Sequence, residues 1–356
     1  MSLTVAVTGL HMGENPQPGS GVIRSLRDAY CDLTIVGLVY DVLESGIYAD
    51  NSADVIYHLP YPKAGSEALL ARLDYVLAQQ PIDILIPSLD AEMQGLLKIE
   101  QELAERGIKM MLPALESFKA CRKAELENLA EQCDCYSPKT MTAVEVNGLR
   151  QAAKEIGYPL FVKGPFYGAH KVHNEATLIS RFHQIISEWG GPVVLQESID
   201  GSEFDVISVG DGQGNVGGFC AIRKTIVTDK GKGFGGITVR DERLDGIAMN
   251  LIQELNWRGP LELEFVKDEE NDEFYLIEIN PRFPAWVGFP STIGHNLPSV
   301  VIETLTTGAM PQLPECPTGK FFVRHSVDVT GDVEQLGQLS TFGELCGQTT
   351  GDKVYA

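Results

Sequence analysis

Positive charge is what this chain has little of. Across 356 residues, 28 Lys and Arg stand against 49 Asp and Glu, a formal net charge of −21. A field of that sign repels nucleic acid phosphates and anionic lipid headgroups, which excludes both as expected partners. Long apolar runs are missing as well. FVKGP and PVVLQE are typical, far short of the roughly 20 residues a membrane helix needs. The start, MSLTVAVTGL, passes straight into a strand and a glycine turn, with no charged n-region and apolar h-region ahead of it. A cytoplasmic protein without a membrane partner is the expectation. The seven cysteines, at 31, 121, 133, 135, 220, 316 and 346, are odd in number and scattered, a pattern of reduced thiols and not of a disulfide framework. Cys133 and Cys135 form a CxC with no second pair at metal spacing, which argues against zinc. No internal repeat or low-complexity stretch is visible.

What is present is an alternation of strand-like and helix-like segments. LTVAVTG is a β-branched run ending at Gly9, and VIRSLRDAY follows with apolar residues at helical spacing. TIVGLVYD and IDILIPSLDAE supply further strands, the second after the amphipathic EALLARLDYVLAQQ. Strand, turn, helix, strand in this order predicts a doubly wound parallel sheet. GLHMGENPQPG is not the GxGxxG fingerprint and carries two prolines, so a dinucleotide site is not expected there. The pattern breaks at MMLPALESF, which puts a domain boundary near residue 112 and predicts a helix over roughly 117–133 behind a Ser117 cap. Beyond it come the helix VNGLRQAAKEIG, the strand YPLFVKG, the helix LISRFHQIISEW and the strand PVVLQES. The tail from about residue 320, FFVRHSVDV, reads as one more strand and an end.

FYLIEINPRF carries the chemistry. Alternation along a strand puts Glu278 and Asn280 on one face, and Glu264 of LELEFVKD stands where it would lie opposite Glu278 in a neighbouring strand. Three oxygen donors converging in this way suit Mg²⁺. The bland alternative is a pair of edge strands with a solvated acidic face. Lys163 closes the apolar strand LFVK beside a turn containing Gly164 and Gly168, a natural position for a phosphate ligand. VVLQESIDGSE offers backbone groups beside aliphatic side chains, which suits a flat, largely apolar base; a hairpin with a polar turn is the competing reading.

In the order Lys163, Glu264, Glu278, Ile279, Asn280, Pro281, Arg282, the chain resembles the ATP-grasp superfamily, in particular its carbamoyl phosphate synthase-like members. YADNSADVIYHLPYP and PIDILIPSLDAE resemble the pre-ATP-grasp domain that precedes the nucleotide domain in those enzymes. The resemblance implies an α/β and α+β architecture: a pre-ATP-grasp, Rossmann-like domain over 1–112, an ATP-grasp domain over 113–320 with subdomains of about 113–193 and 194–320, and a C-terminal strand and tail over 321–356. It implies ATP as the nucleotide, held at its phosphates by Lys123 and Lys163, at adenine by Gln196, Glu197, Ser198 and Ile199, and at the ribose by Glu203. It implies two Mg²⁺ ions, with Mn²⁺ as a substitute, on Glu264, Glu278 and Asn280. Arg223 and Lys224, in CAIRKTIV, and Arg282 add positive charge where the γ-phosphate and a substrate carboxylate would meet; Arg282, with Lys163 and Arg223, would steady the transferred phosphoryl group. Where many members carry a glycine-rich lid, GPFYGAHK has two glycines and a proline, so a stiffer loop over 164–171 is expected.

The activity this implies is an ATP-dependent carboxylate–amine ligase. A carboxylate becomes an acyl phosphate, ATP becomes ADP and phosphate, and an amine then forms the C–N bond. A bicarbonate- or carboxylate-phosphorylating relative and a non-catalytic nucleotide-binding regulator are the alternatives. A homodimer is the expected assembly.

Overall fold

A computed structural model of the chain describes residues 3–122, 125–164, 169–228, 231 and 233–346. The first sheet is built as the alternation predicts. β1 (Thr4–Thr8), β2 (Thr34–Val39), β3 (Val55–His58) and β4 (Ile84–Ile86) run parallel in the order β3-β2-β1-β4. Side chains of opposite parity on these strands enter two different cores. Val5, Val7 and Ile35 meet the helix Gly19–Ala29, while Ala6, Val36 and Leu38 meet the helices Ser66–Gln79 and Asp90–Lys98. Both faces are covered, as strands apolar throughout require.

A small sheet follows, formed by β5 (Thr140–Ala143), β6 (Leu160–Lys163), β7 (Ala169–Val172) and β8 (Val193–Glu197) in the order β5-β8-β6-β7. All its pairings are antiparallel, and the helices Val146–Ile156 and Glu175–Trp189 cover one face. The single helix expected over 117–133 is two, Leu115–Ala120 and Leu126–Gln132. Ser117 is not a cap but lies inside the first, where its hydroxyl donates to the Leu255 carbonyl at 2.7 Å.

The large sheet is antiparallel and holds the site. β9 (Gly201–Asp211), β10 (Val216–Val227), β11 (Gly233–Val239), β12 (Arg258–Asp268), β13 (Phe274–Asn280) and β14 (Phe321–Val323) stand in the order β13-β12-β9-β10-β11-β14. One face carries Phe204, Val206, Ala221, Leu261 and Leu263 against the helix Glu242–Glu254. The other carries Ile207, Val209, Cys220 and Ile222, which share a core with Val5, Val7 and Ile35 of the first sheet and with the helix Leu297–Thr307. Contact with the segment near residue 112 is tight at the start of β12. A Cβ on Gly259 would collide with the Met111 carbonyl oxygen, and φ there is +100°, so glycine alone fits. The Arg258 guanidinium next to it donates to the carbonyls of Met110 (2.8 Å) and Leu112 (3.3 Å).

The expected C-terminal strand and tail is divided between two sheets. β14 extends the large sheet beside β11, and β15 (Glu344–Cys346) returns to pair antiparallel with β3.

Candidate active site

Along β9 the inward face changes character within two turns of the pleat: Ile207 and Val209 are apolar core, whereas Glu203 and Asp205 are carboxylates. Period-two alternation forces the same switch on the neighbours. On β10 it falls between Ile222 and Lys224. On β12, Glu262 and Glu264 lie opposite Ile207 and Asp205, and on β13, Asn280 and Glu278 lie opposite Glu262 and Glu264. Four strands thus gather Glu203, Asp205, Lys224, Glu262, Glu264, Glu278 and Asn280 on one patch. The expected pairing of Glu264 with Glu278 is the observed register.

Lys224 stands at the centre. Its Nζ lies 2.8 Å from Glu264, 3.0 Å from Asp205 and 3.2 Å from Glu203. Burial works against its charge, but Asp205, Glu264, Glu203 and Glu262 outweigh that effect and hold its pKa well above the ordinary lysine value. Asp205 is pushed up, chiefly by its complete burial, although Lys224 opposes the shift. Glu262 is raised to about 7, first by desolvation and then by the neighbouring Glu264 charge, against the pull of Arg282 and Lys224. Its oxygens are satisfied: Trp286 Nε1 donates to Oε1 at 3.1 Å, and Asn280 Nδ2 donates to Oε2 at 3.0 Å.

Asn280 and Arg282 link this patch to the first sheet. Asn280 Nδ2 also donates to Glu264 Oε1 at 2.8 Å, and its Oδ1 accepts from Arg282 Nη2 at 3.2 Å. The Arg282 guanidinium continues to Asp90, donating from Nε (3.1 Å) and Nη2 (2.9 Å) to one carboxylate oxygen. Asp90 begins the helix that follows β4, so this contact crosses from the C-terminal end of the parallel sheet, where ligands of such sheets bind. The other oxygen, Asp90 Oδ1, is buried without a hydrogen-bond partner.

The residues fit a divalent cation by charge and donor type. Among the described residues the patch gathers Glu203, Asp205, Glu262, Glu264 and Glu278, with Asp90 at its edge, around the cations Lys224 and Arg282. That carboxylate excess calls for positive charge, and Glu264, Glu278 and Asn280 offer the hard oxygens Mg²⁺ prefers. No cage of three or more His, Cys, Asp or Glu is closed among the described residues; Mg²⁺ is commonly held by one or two carboxylates together with phosphates.

The remaining expected residues fall as follows. Lys163 is buried in the small sheet, where its Nζ donates to Gln196 Oε1 at 2.5 Å, and Gln196 Nε2 donates to Thr140 Oγ1 at 3.2 Å. Gln196 and Glu197 end β8, and Ser198 and Ile199 form the link into β9, so this segment joins the two antiparallel sheets. Glu197 Oε2 accepts from the Lys139 backbone N–H at 3.1 Å, and the Ser198 hydroxyl is buried without a partner. Glu203 joins the patch through Lys224. Arg223 does not join it. It is exposed and opposite Phe204, on the face of β10 that Lys224 leaves. Lys123 and residues 165–168 of the expected lid lie outside the described residues. Sequence reasoning missed Asp205, Glu262, Trp286 and Asp90. The first two had a signal in EFD and LELE, where the same period that selects Glu203 and Glu264 selects them as well.

Residues 122–287 match the family described as carbamoyl-phosphate synthase L chain, ATP binding domain. Over 326 residues the chain is 24% identical to the arginine-specific carbamoyl phosphate synthase large chain of Lactiplantibacillus plantarum, covering 80% of this chain and 29% of that one. It therefore spans less than a third of that relative. Among solved structures it is similar to a biotin carboxylase from Campylobacter jejuni, described as a complex with β,γ-ATP (TM-score 0.67, 18% identity, 87% of this chain and 72% of that chain). It is also similar to an L-amino acid ligase from Bacillus licheniformis (TM-score 0.63, 17% identity, 86% and 74%). Residues 122–287, the stretch that carries most of the patch, thus belong to an ATP-binding domain of the carbamoyl phosphate synthase-like ATP-grasp kind, and the fold around them is shared with these enzymes.

Proposed function

We propose that the protein is an ATP-dependent carboxylate–amine ligase that activates its acid as an acyl phosphate. The observation that carries this reading is the single sheet face on which Glu203, Asp205, Lys224, Glu262, Glu264, Glu278 and Asn280 meet, with Arg282 at its rim. In this reading Glu264, Glu278 and Asn280 hold Mg²⁺, one or two ions, with Mn²⁺ able to substitute. Bound there, the metal would offset charge on the ATP phosphate oxygens.

Lys163 grips the phosphates from the small sheet, and Lys123, which lies outside the described residues, would be a second phosphate ligand. Gln196 to Ile199 receive the adenine and Glu203 the ribose, which requires Glu203 to exchange its contact with Lys224 for the sugar hydroxyls. Lys224, freed in part from its carboxylates when other positive charge arrives, is then available to the phosphoryl group being transferred. Arg282 faces the same place from the Asp90 side and would steady the acyl phosphate, a group whose negative oxygens match a planar guanidinium. Water must be kept from that intermediate, a role for the loop over 164–171.

Phosphate release from ATP, measured across a panel of carboxylic acids with and without amines, tests the proposal. Release that needs both an acid and an amine supports the ligase. Release with bicarbonate alone assigns the bicarbonate-activating alternative, and nucleotide binding with no turnover in any arm assigns the regulator.

A further inference from the structure

Cys220 and Cys316 are 96 residues apart in sequence, yet their sulfurs lie 3.2 Å from each other. All seven cysteines are free thiols, and this pair is set apart by how it is held. Cys220 stands on β10 opposite Ile207 and is buried in the core shared with the first sheet. Cys316 belongs to the stretch that connects the helix Leu297–Thr307 to β14, and it is partly open to solvent.

Hydrogen bonds on both sides of Cys316 fix that stretch to the large sheet. Before it, the Leu313 N–H donates to the Gly217 carbonyl of β10 at 2.8 Å, and His295 Nδ1 lies 3.0 Å from the Pro314 carbonyl oxygen. After it, the buried Thr238 of β11 takes both ends of a turn. Its Oγ1 donates to the Pro317 carbonyl at 2.7 Å and accepts from the Lys320 N–H at 2.9 Å. Adjacent strands of one sheet therefore anchor the two sulfurs as neighbours. A disulfide needs its sulfurs about 2.05 Å apart, a short approach that side-chain rotation can cover.

The two thiols also differ in the way such a reaction requires. The hydrogen bond with Cys220 holds the Cys316 thiol below the ordinary cysteine value against the effect of burial. Cys220 is pushed well above that value, first by the same contact and then by burial. Cys316 is thus the sulfur that ionises more readily and the one solvent reaches, as an attacking thiol must be, while Cys220 is placed behind it as the resolving thiol.

We propose that Cys220 and Cys316 form an oxidation site, at which a hydroperoxide closes a reversible disulfide between β10 and the segment leading into β14. The Cys316 sulfur attacks one peroxide oxygen and the O–O bond breaks; the departing hydroxide leaves as water with the Cys316 proton, and Cys316 becomes a sulfenic acid. The Cys220 sulfur then attacks that sulfur, the S–O bond breaks, and the hydroxyl leaves as a second water with the Cys220 proton. Two thiols lose two electrons to the peroxide. The crosslink pins the edge of the sheet that carries Phe322, whose ring stacks on Trp286, the donor to Glu262 in the carboxylate patch. It does not depend on the ligase activity.

Titration of the full chain with hydrogen peroxide, followed by peptide mapping without reductant and by thermal unfolding, tests this. The expected product joins the peptides that contain Cys220 and Cys316, is two hydrogens lighter than the separate thiols, and comes apart in dithiothreitol. Closing a loop of this length should raise the thermal midpoint of the wild type by about 3 °C or more. Cys316→Ala, at a partly exposed position outside the buried core, should fold and show neither the joined peptide nor the rise. Peroxide that modifies Cys316 without joining it to Cys220, or that joins other cysteines first, overturns the proposal. So does a joined product whose midpoint is unchanged or lower.

Discussion

Replacing Lys224 with methionine isolates the charge at the centre of the patch. Its ammonium sits 2.8–3.2 Å from three carboxylates, of which Asp205 is fully buried, Glu264 largely so and Glu203 36% exposed at its side chain. At an effective dielectric of about 20, each contact is worth roughly 5 kcal/mol before desolvation, and solvent screens the Glu203 share. Most of that gross term is cancelled by the cost of taking the ions out of water. The measured consequence of removing one partner of a buried pair, about 3–5 kcal/mol, is the expected loss for Lys224→Met. By thermal unfolding that corresponds to a drop of roughly 5–15 °C in the transition that includes the large sheet.

Three controls give the number its meaning. Asp205→Asn added to Lys224→Met should recover at least half of the loss, because the deficit is an uncompensated anion and not a packing defect. Mg²⁺ should recover part of it as well. The pH dependence has a definite sign: Asp205 already binds its proton more tightly folded than unfolded because it is buried, and removing Lys224 strengthens that. The folded state then carries more protons, so stability falls as pH rises and the deficit narrows on acidification toward about pH 5. A Lys224→Met protein within about 1 kcal/mol of wild type, or one that Asp205→Asn does not help, would refute the charge-balance reasoning.

Glu262→Gln should flatten the stability profile between about pH 4.5 and 7: a carboxyl raised to about 7 when folded destabilises progressively as pH climbs through that window, and an unchanged slope counts against a shifted Glu262. Lys163→Ala should weaken ATP by ten- to hundredfold in equilibrium binding, in the range of a charge-assisted phosphate contact; unchanged nucleotide affinity removes it from the phosphate site. Arg223→Ala should stay within about threefold of wild type in kcat/KM, because its strand phase turns it away from Lys224, and a larger loss restores it to the mechanism.

How far the sequence carried this site depends on strand phase. Glu264, Glu278 and Asn280 were legible because their own alternation, together with one assumed pairing, puts them on one face, and the register confirms that pairing. Arg223 and Lys224 are adjacent, so one of them had to face the site, and nothing local says which; the choice is made by Ile222 and Cys220 entering the core two and four residues earlier. Glu262 and Asp205 escaped because a glutamate or aspartate in a strand usually marks the solvent face. Here both lie on a face whose neighbours supply Lys224, Arg282 and the Trp286 indole. Those partners come from β10 and from the loop after β13, and Asp90 from the helix that follows β4 of the first sheet, 192 residues from Arg282. Long-range contacts of that kind have no local signature. In the doubly wound first sheet β1, β2 and β4 were legible from their apolar runs, whereas β3 (Val55–His58), which follows β2 after only a short 3-10 turn, was not. The division of the residues after 320 between two sheets was not, because short edge strands such as Phe321–Val323 and Glu344–Cys346 carry too few residues to show where they pair.

The ligase chemistry proposed for this protein requires that the carboxylate face of β12 and β13 receive the metal–nucleotide. ADP affinity measured with and without Mg²⁺, in wild type and in Glu278→Gln, tests this without needing the acid or the amine. Mg²⁺ should tighten ADP binding to the wild type by at least tenfold, and that dependence should largely vanish in Glu278→Gln while the thermal midpoint moves by no more than a few degrees. The same Mg²⁺ dependence in both proteins would place the metal elsewhere and contradict the central claim.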